Sequence, residues 1–247
     1  AGTLTIAKRP VTLTSGSATK PYDGKALTKD TVTVSGEKFA DGEGATYKVT
    51  GSQTVVGSSA NAFTYKLNDN TKADNYEIAK TEGTLTVTDR TEKYAITVEA
   101  NSGSYIYDGT EKSVSGLKET TFTVDGNTYT VSGLTASATG TNVSESKAVE
   151  VKGTAKVLDA AKNDVTAQFT VTTKDGQLTI KPVAIELTAD SAEKVYDGTA
   201  LTKNSYQITN GKFVGKEGLE SVTVEGSQTL VGESANKITG YKLKSNT

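Results

Sequence analysis

Four residue types are missing from this 247-residue chain: cysteine, histidine, methionine and tryptophan. Without cysteine there are no disulfides and no thiol nucleophile. Without histidine the commonest general base at neutral pH is gone, and losing both types removes the usual zinc ligands. Any catalysis would fall to carboxylates, lysines, tyrosines and hydroxyls. The lack of methionine means that residue 1 is not a translation start. An internal or processed piece is therefore expected, and no signal-peptide pattern is read in it. Charge is balanced: 27 basic residues against 29 acids leave a net −2, and the two signs are interspersed. There is no basic stripe to track phosphates, so nucleic acid is not an expected partner. No apolar run reaches the roughly 20 residues of a membrane helix, so no membrane insertion is expected of this segment.

What is present repeats. "GSQTVVGSSANAFTYKLNDNT" from Gly51 returns with one extra residue as "GSQTLVGESANKITGYKLKSNT" from Gly226. "YDGKALTK" from Tyr22 returns as "YDGTALTK" from Tyr196. Residues 10–71 and 182–247 are therefore two copies of one unit. A more distant copy lies between them, with its own "YDGT" at Tyr107 and the ending "DGQLTIKP" from Asp175. That ending matches "EGTLTVTD" from Glu82 and "GTLTIAKRP" from Gly2. Each unit runs from an alternating strand, through Tyr-Asp-Gly, to a closing Gly-x-Leu-Thr strand. The expected organisation is a closing strand of a preceding repeat at 1–9, a first module at 10–90, a divergent second module at 91–181, and a third at 182–247 without its last strands.

Alternation of apolar and polar residues dominates, as in "TVTVSG" from Thr31, "TLTVT" from Thr84 and "VTVEG" from Val222. Period-two alternation gives a strand with one buried and one wet face. Asp-Gly and Asn-Gly pairs punctuate the runs. "FTVDGNTYTVSG" from Phe122 reads as a hairpin with Asp125 and Gly126 at its tip. Short helical turns are expected only within 157–167 and in the "KFADGEG" and "KFVGKEG" segments. The fold class is all-β: serial small β-sandwich (immunoglobulin-like) or β-grasp-like modules in an elongated array. The expected core of the first module is Val11, Leu13, Leu27, Val32, Val34, Phe39, Val49, Val55, Phe63, Leu67, Ile78, Leu85 and Val87.

Tyr-Asp-Gly, the "NYEI" at Asn75 and the closing "GTLTV", in that order within one period, resemble the YDG/MBG-type tandem repeats of large bacterial cell-surface adhesins. The middle unit departs from the pattern, with "DVTAQFTVTT" where "ADNYEIAKT" would stand. The resemblance implies β-rich modules in stalks at an extracellular bacterial cell surface or cell wall, with no catalytic activity. It carries no binding residues with it.

The candidate site is the motif itself: Tyr22, Asp23 and Gly24; Tyr107, Asp108 and Gly109; Tyr196, Asp197 and Gly198. Asp23, Asp108 and Asp197 are calcium candidates, but one acid per copy is too few for a calcium loop. The competing reading is a tight turn, in which Asp bonds the backbone two residues on and Gly supplies a positive φ. Tyr then packs its ring on the core and offers its hydroxyl to a backbone group. Asp41 and Glu43 form a close acidic pair, but the sister copy has Lys216 beside Glu217, which favours a solvated loop. Lys8, Lys181, Asp74 and Asn75 are the residues to examine for a lysine–asparagine crosslink. No acid sits in an apolar, aromatic surround of the kind a glycosidase pair needs. No enzyme, metal or cofactor is expected. The expected function is a structural stalk projecting a binding tip, with neighbouring repeats as partners. Modules that themselves bind a host glycan or protein are the alternative. Strand addition between copies, head to tail, is a second alternative.

Overall fold

The computed structural model describes residues 1–245 and 247. The chain is nearly all β. Among the described residues the helical segments are three single 3₁₀ turns, Ala73–Asn75, Val143–Glu145 and Thr166–Gln168. The "KFADGEG" segment is a plain turn closed by Glu43 N–H on the Ala40 carbonyl at 2.9 Å. Residues 159–163 form a turn in which Asp159 N–H donates to the Asn163 carbonyl, and the 3₁₀ turn comes only after it. Two compact units are present. The first holds Ala1–Val98, Glu119–Leu134 and Gly153–Thr173; the second holds Glu99–Lys118, Thr135–Lys152 and Lys174–Thr247.

In the first unit the strand Arg9–Ser15 lies between two partners. Val32–Gly36 pairs with it antiparallel, and Tyr76–Thr81 pairs with it parallel. The strand is interrupted at Gly16 and Ser17, and the chain continues as Ala18–Pro21, which joins a second sheet. There the closing strand Gly83–Thr88 sits in the middle, parallel to Ala18–Pro21 and antiparallel to Gly57–Asn61. The closing motif begins with glycine for a steric reason. A Cβ on Gly83 would overlap the Ser15 carbonyl and come within 2.6 Å of the Gly16 carbonyl. Ser15 fastens this crossing, its Oγ donating to Asn61 O at 2.6 Å and accepting from Gly83 N–H at 2.9 Å. The hairpin Thr121–Val124 with the start of Asn127–Gly140 turns at Asp125 (φ 49°) and Gly126 (φ 80°), the positive pair of a type I′ turn.

Val11, Leu13, Phe63, Leu85 and Val87 are buried as their parity predicts. Leu27, Val32, Val34, Phe39, Val49, Val55, Leu67 and Ile78 are only half-buried. The sheets that carry these residues are two or three strands wide, so an inward side chain on an edge strand is covered from few directions. Aromatic rings make up the difference: Tyr22, Tyr76 and Tyr129 are all buried.

The second unit repeats the closing arrangement. Gly176–Lys181 runs between Gly103–Ile106, parallel, and Lys147–Val149, antiparallel. Its Leu178 and Ile180 join Ala100, Val114 and Val149 in a core. Further on, Glu186–Ala189 pairs with Tyr206–Asn210, and Leu219–Glu225 with Lys237–Leu243.

Candidate functional site

The three Tyr-Asp-Gly turns share one local design. The aspartate accepts from the backbone N–H two residues on: Lys25 onto Asp23, Thr110 onto Asp108 and Thr199 onto Asp197, each at 2.9 Å. The glycine takes φ between 74° and 78°, where a side chain is strained. A lysine ammonium completes each turn, Lys20 on Asp23 at 2.7 Å, Lys112 on Asp108 at 2.6 Å and Lys194 on Asp197 at 2.8 Å. At Asp108 the donors engage both carboxylate oxygens, whereas at Asp23 and Asp197 they converge on Oδ1. Among the described residues no three acidic side chains gather around a common point.

The three tyrosines differ, and their hydroxyls do not seek the backbone as the sequence reading expected. Tyr22 is fully buried, and its N–H donates to Thr88 O at the end of the closing strand, 2.9 Å away. Its hydroxyl makes a long 3.4 Å contact to the Tyr129 hydroxyl. Tyr129 stands edge-on to Phe169, with ring centroids 4.7 Å apart. Gly24 lies against the same hairpin: an added Cβ would overlap the Tyr129 hydroxyl and come within 2.7 Å of Asn127 Nδ2. Asn127 Nδ2 donates to Asp23 O at 2.9 Å. Asn127 and Tyr129 belong to the next repeat in sequence, so the turn of the first repeat is gripped by the second.

Tyr107 is placed alike. Its N–H donates to Lys181 O, again at the end of a closing strand, and its hydroxyl donates to Glu217 Oε1 at 2.6 Å. A Cβ on Gly109 would come within 2.6 Å of Val214 Cγ1. Glu217 and Val214 again belong to the following repeat. Tyr196 has neither support: it is 60% exposed, and a Cβ on Gly198 would meet nothing within 4 Å.

Around Tyr22 the support extends to residues the motif does not contain. Arg90 donates to Tyr22 O at 2.9 Å and to the Tyr94 hydroxyl at 3.0 Å, and lies over the Tyr94 ring. The buried Gln168 accepts from Arg90 N–H and donates to Asp89 Oδ1 at 2.6 Å. One signal for this cluster exists in the sequence: arginine occurs only twice, at Arg9 and Arg90, each just after a closing motif. Arg9 binds the carbonyls of Glu37 and Lys38.

The other candidates are not brought together. Glu43 accepts from the Tyr76 hydroxyl, which also accepts from Ala40 N–H at 3.0 Å, and Asp41 takes no part. Lys8, Asp74, Asn75 and Lys181 are all exposed, so none has the dry surround that lysine–asparagine condensation requires.

Titration follows from these contacts. Burial raises the Tyr22 hydroxyl well above its ordinary value. Tyr94 is pushed up to about 12 by burial and by its hydrogen bond to Asp125, against the opposing charge of Arg90. A raised tyrosine contributes stability that is complete below pH 10 and is lost as pH climbs through about 12. Asp108 and Asp197 are held low by their lysines and the Thr110 and Thr199 donors. Their contribution is present above the ordinary carboxylate range and fades as pH falls below it. The expected profile of melting temperature is therefore flat between about pH 5 and 9, falling on both sides. Tyr94→Phe should remove from the alkaline absorbance titration a component centred near 12.

No family model, curated protein or solved structure matches this chain.

Proposed function

We propose that this chain is a non-catalytic run of β modules that act as stalk or spacer repeats of a bacterial cell-surface adhesin, holding a binding tip away from the wall. The observation that supports this reading is the use of the Tyr-Asp-Gly turns. In the first two copies the turn is gripped by the following repeat, through Asn127 and Tyr129 in one case and Val214 and Glu217 in the other. Residues repeated along a chain to hold successive modules serve spacing, since each module then leans mainly on its neighbour. The aspartates at the turns accept from lysines and backbone donors, a use that suits a scaffold. Within the first two modules, parallel pairing of the opening and closing segments suits a small β-grasp-like or sandwich core.

Small-angle scattering tests the proposal. A compact chain of this length has a radius of gyration of about 18 Å. Serial modules predict a value well above that, with a pair-distance distribution skewed to long distances. A radius near 18 Å with a symmetric distribution overturns the stalk reading.

A further inference from the structure

Tension on a spacer enters and leaves each module through its first and last strands. In the first module these are Arg9–Ser15 and Gly83–Thr88, and neither is an edge. Arg9–Ser15 lies between Val32–Gly36 and Tyr76–Thr81, and Gly83–Thr88 lies between Ala18–Pro21 and Gly57–Asn61. Each loaded strand therefore has a paired strand on both sides.

The register adds a second observation. Arg9 to Thr14 face Tyr76 to Thr81, and Ala18 to Pro21 face Leu85 to Thr88, all in parallel. Each of these residues faces the residue 67 positions further on, so the register survives the crossing from one sheet to the other. Two serines hold the crossing itself. Ser15 Oγ accepts from Gly83 N–H at 2.9 Å, and Ser17 Oγ accepts from Thr84 N–H at 3.0 Å. The opening segment 9–21 and the closing segment 76–88 thus keep one parallel register throughout. The exit is fastened as well, with Tyr22 N–H on Thr88 O and Arg90 on Tyr22 O. The second unit builds a similar piece from Gly103–Ile106 and Leu178–Lys181, where Ser102 Oγ accepts from Gln177 N–H at 3.0 Å.

In a parallel pair, pulling backward on the opening segment and forward on the closing one slides the strands along their common axis. The evenly spaced hydrogen bonds of the ladder are then strained together. The buried Val11, Leu13, Leu85 and Val87 must also leave their packing in the same event. Pulling across the strands instead parts the bonds one after another. Forced unfolding is governed by the unfolding rate, which depends on the path taken, so the direction of pulling matters even though the folding free energy is fixed.

We propose that the first module is a load-bearing clamp, in which the parallel ladder between 9–21 and 76–88 carries tension in shear and makes the module much harder to pull apart along its strands than across them. The stalk reading supplies the source of the tension, and the clamp rests on that reading for its use.

The absence of cysteine lets single-molecule pulling compare the two directions in the whole chain. Ala1→Cys with Thr247→Cys loads the module through its ends. Thr19→Cys with Ser58→Cys loads it across the strands, since both residues face Thr86 from opposite sides. All four positions are exposed, so both variants should melt as the parent chain does. The event between Arg9 and Thr88 releases about 80 residues, or roughly 270 Å at about 3.3–3.6 Å per residue, and the transverse event roughly 130 Å. At one pulling speed the lengthwise event is expected at about twice the transverse force or more. Forces that agree within that factor, or a larger force across the strands, overturn the clamp. Scattering keeps the two ideas apart: an extended particle without the directional difference sinks the clamp alone, and a compact one with it sinks the stalk reading alone.

Discussion

Tyr22→Ala is expected to cost about 3–5 kcal/mol of unfolding free energy, the range for truncating a large buried aromatic. Tyr196→Ala, in the same motif, is expected to fall within about ±0.5 kcal/mol, as for exposed positions. The contrast follows from surroundings alone. Tyr22 is fully buried, with its N–H on Thr88 O, its carbonyl on Arg90 and its hydroxyl facing Tyr129. Removing the ring leaves a cavity beside Tyr129, which its own strand and its contact with Phe169 hold in place, so the site collapses only in part. Tyr196 keeps its turn through Asp197, Lys194 and Thr199 whether or not the ring is present. Tyr107→Ala should lie between, because Tyr107 is half-buried and holds Glu217 by one hydrogen bond. Denaturant unfolding followed by circular dichroism measures all three. Equal losses at the three sites would mean that the ring serves only its local turn, and the idea of a grip between successive repeats would fail.

The glycines carry the same comparison without changing a ring. Gly24 and Gly198 have nearly the same φ, 74° and 78°, so the intrinsic strain of an added methyl is shared. Only Gly24 is pressed by Asn127 and Tyr129. The difference between the two positions reports the grip alone.

The local grammar of this fold was legible because it is written in short range. Asp-Gly with a positive φ, the alternating strands, the hairpin at Asp125 and the recurrence of the closing motif each depend on a few neighbouring residues. What escaped is what repeats do to each other. Nothing in "YDG" distinguishes buried Tyr22 from exposed Tyr196; the difference lies in Asn127, more than 100 residues further on, and in whether a closing strand stands beside the turn. The core was over-drawn for a related reason. Parity places Val32, Val34 and Val49 on the inward face, but parity does not report how wide a sheet is. In sheets of two or three strands an inward valine remains half open. Arg90 was within reach of a compositional argument, being one of two arginines, although only the fold reveals that it ties Tyr22 to Tyr94.

The closing motif gives the second large effect, again by comparing one residue in different settings. Leu85→Ala and Leu178→Ala are each expected to destabilise by about 2–5 kcal/mol, since both leucines are fully buried in the middle strand of a sheet. Leu4→Ala in the dilute chain should be neutral, because Leu4 touches water on every side. The loss at Leu85 also propagates. That strand carries the Thr88 carbonyl on which Tyr22 N–H is fixed, so weakening it loosens the Tyr-Asp-Gly turn and the hairpin that grips it. Hydrogen exchange should therefore show faster exchange at Tyr22 and Asn127 in Leu85→Ala, and at Tyr107 in Leu178→Ala, with each effect confined to its own repeat junction. Uniformly faster exchange over the whole chain would instead mean that the modules unfold as one block, and the closing strand would then have no special hold on its turn.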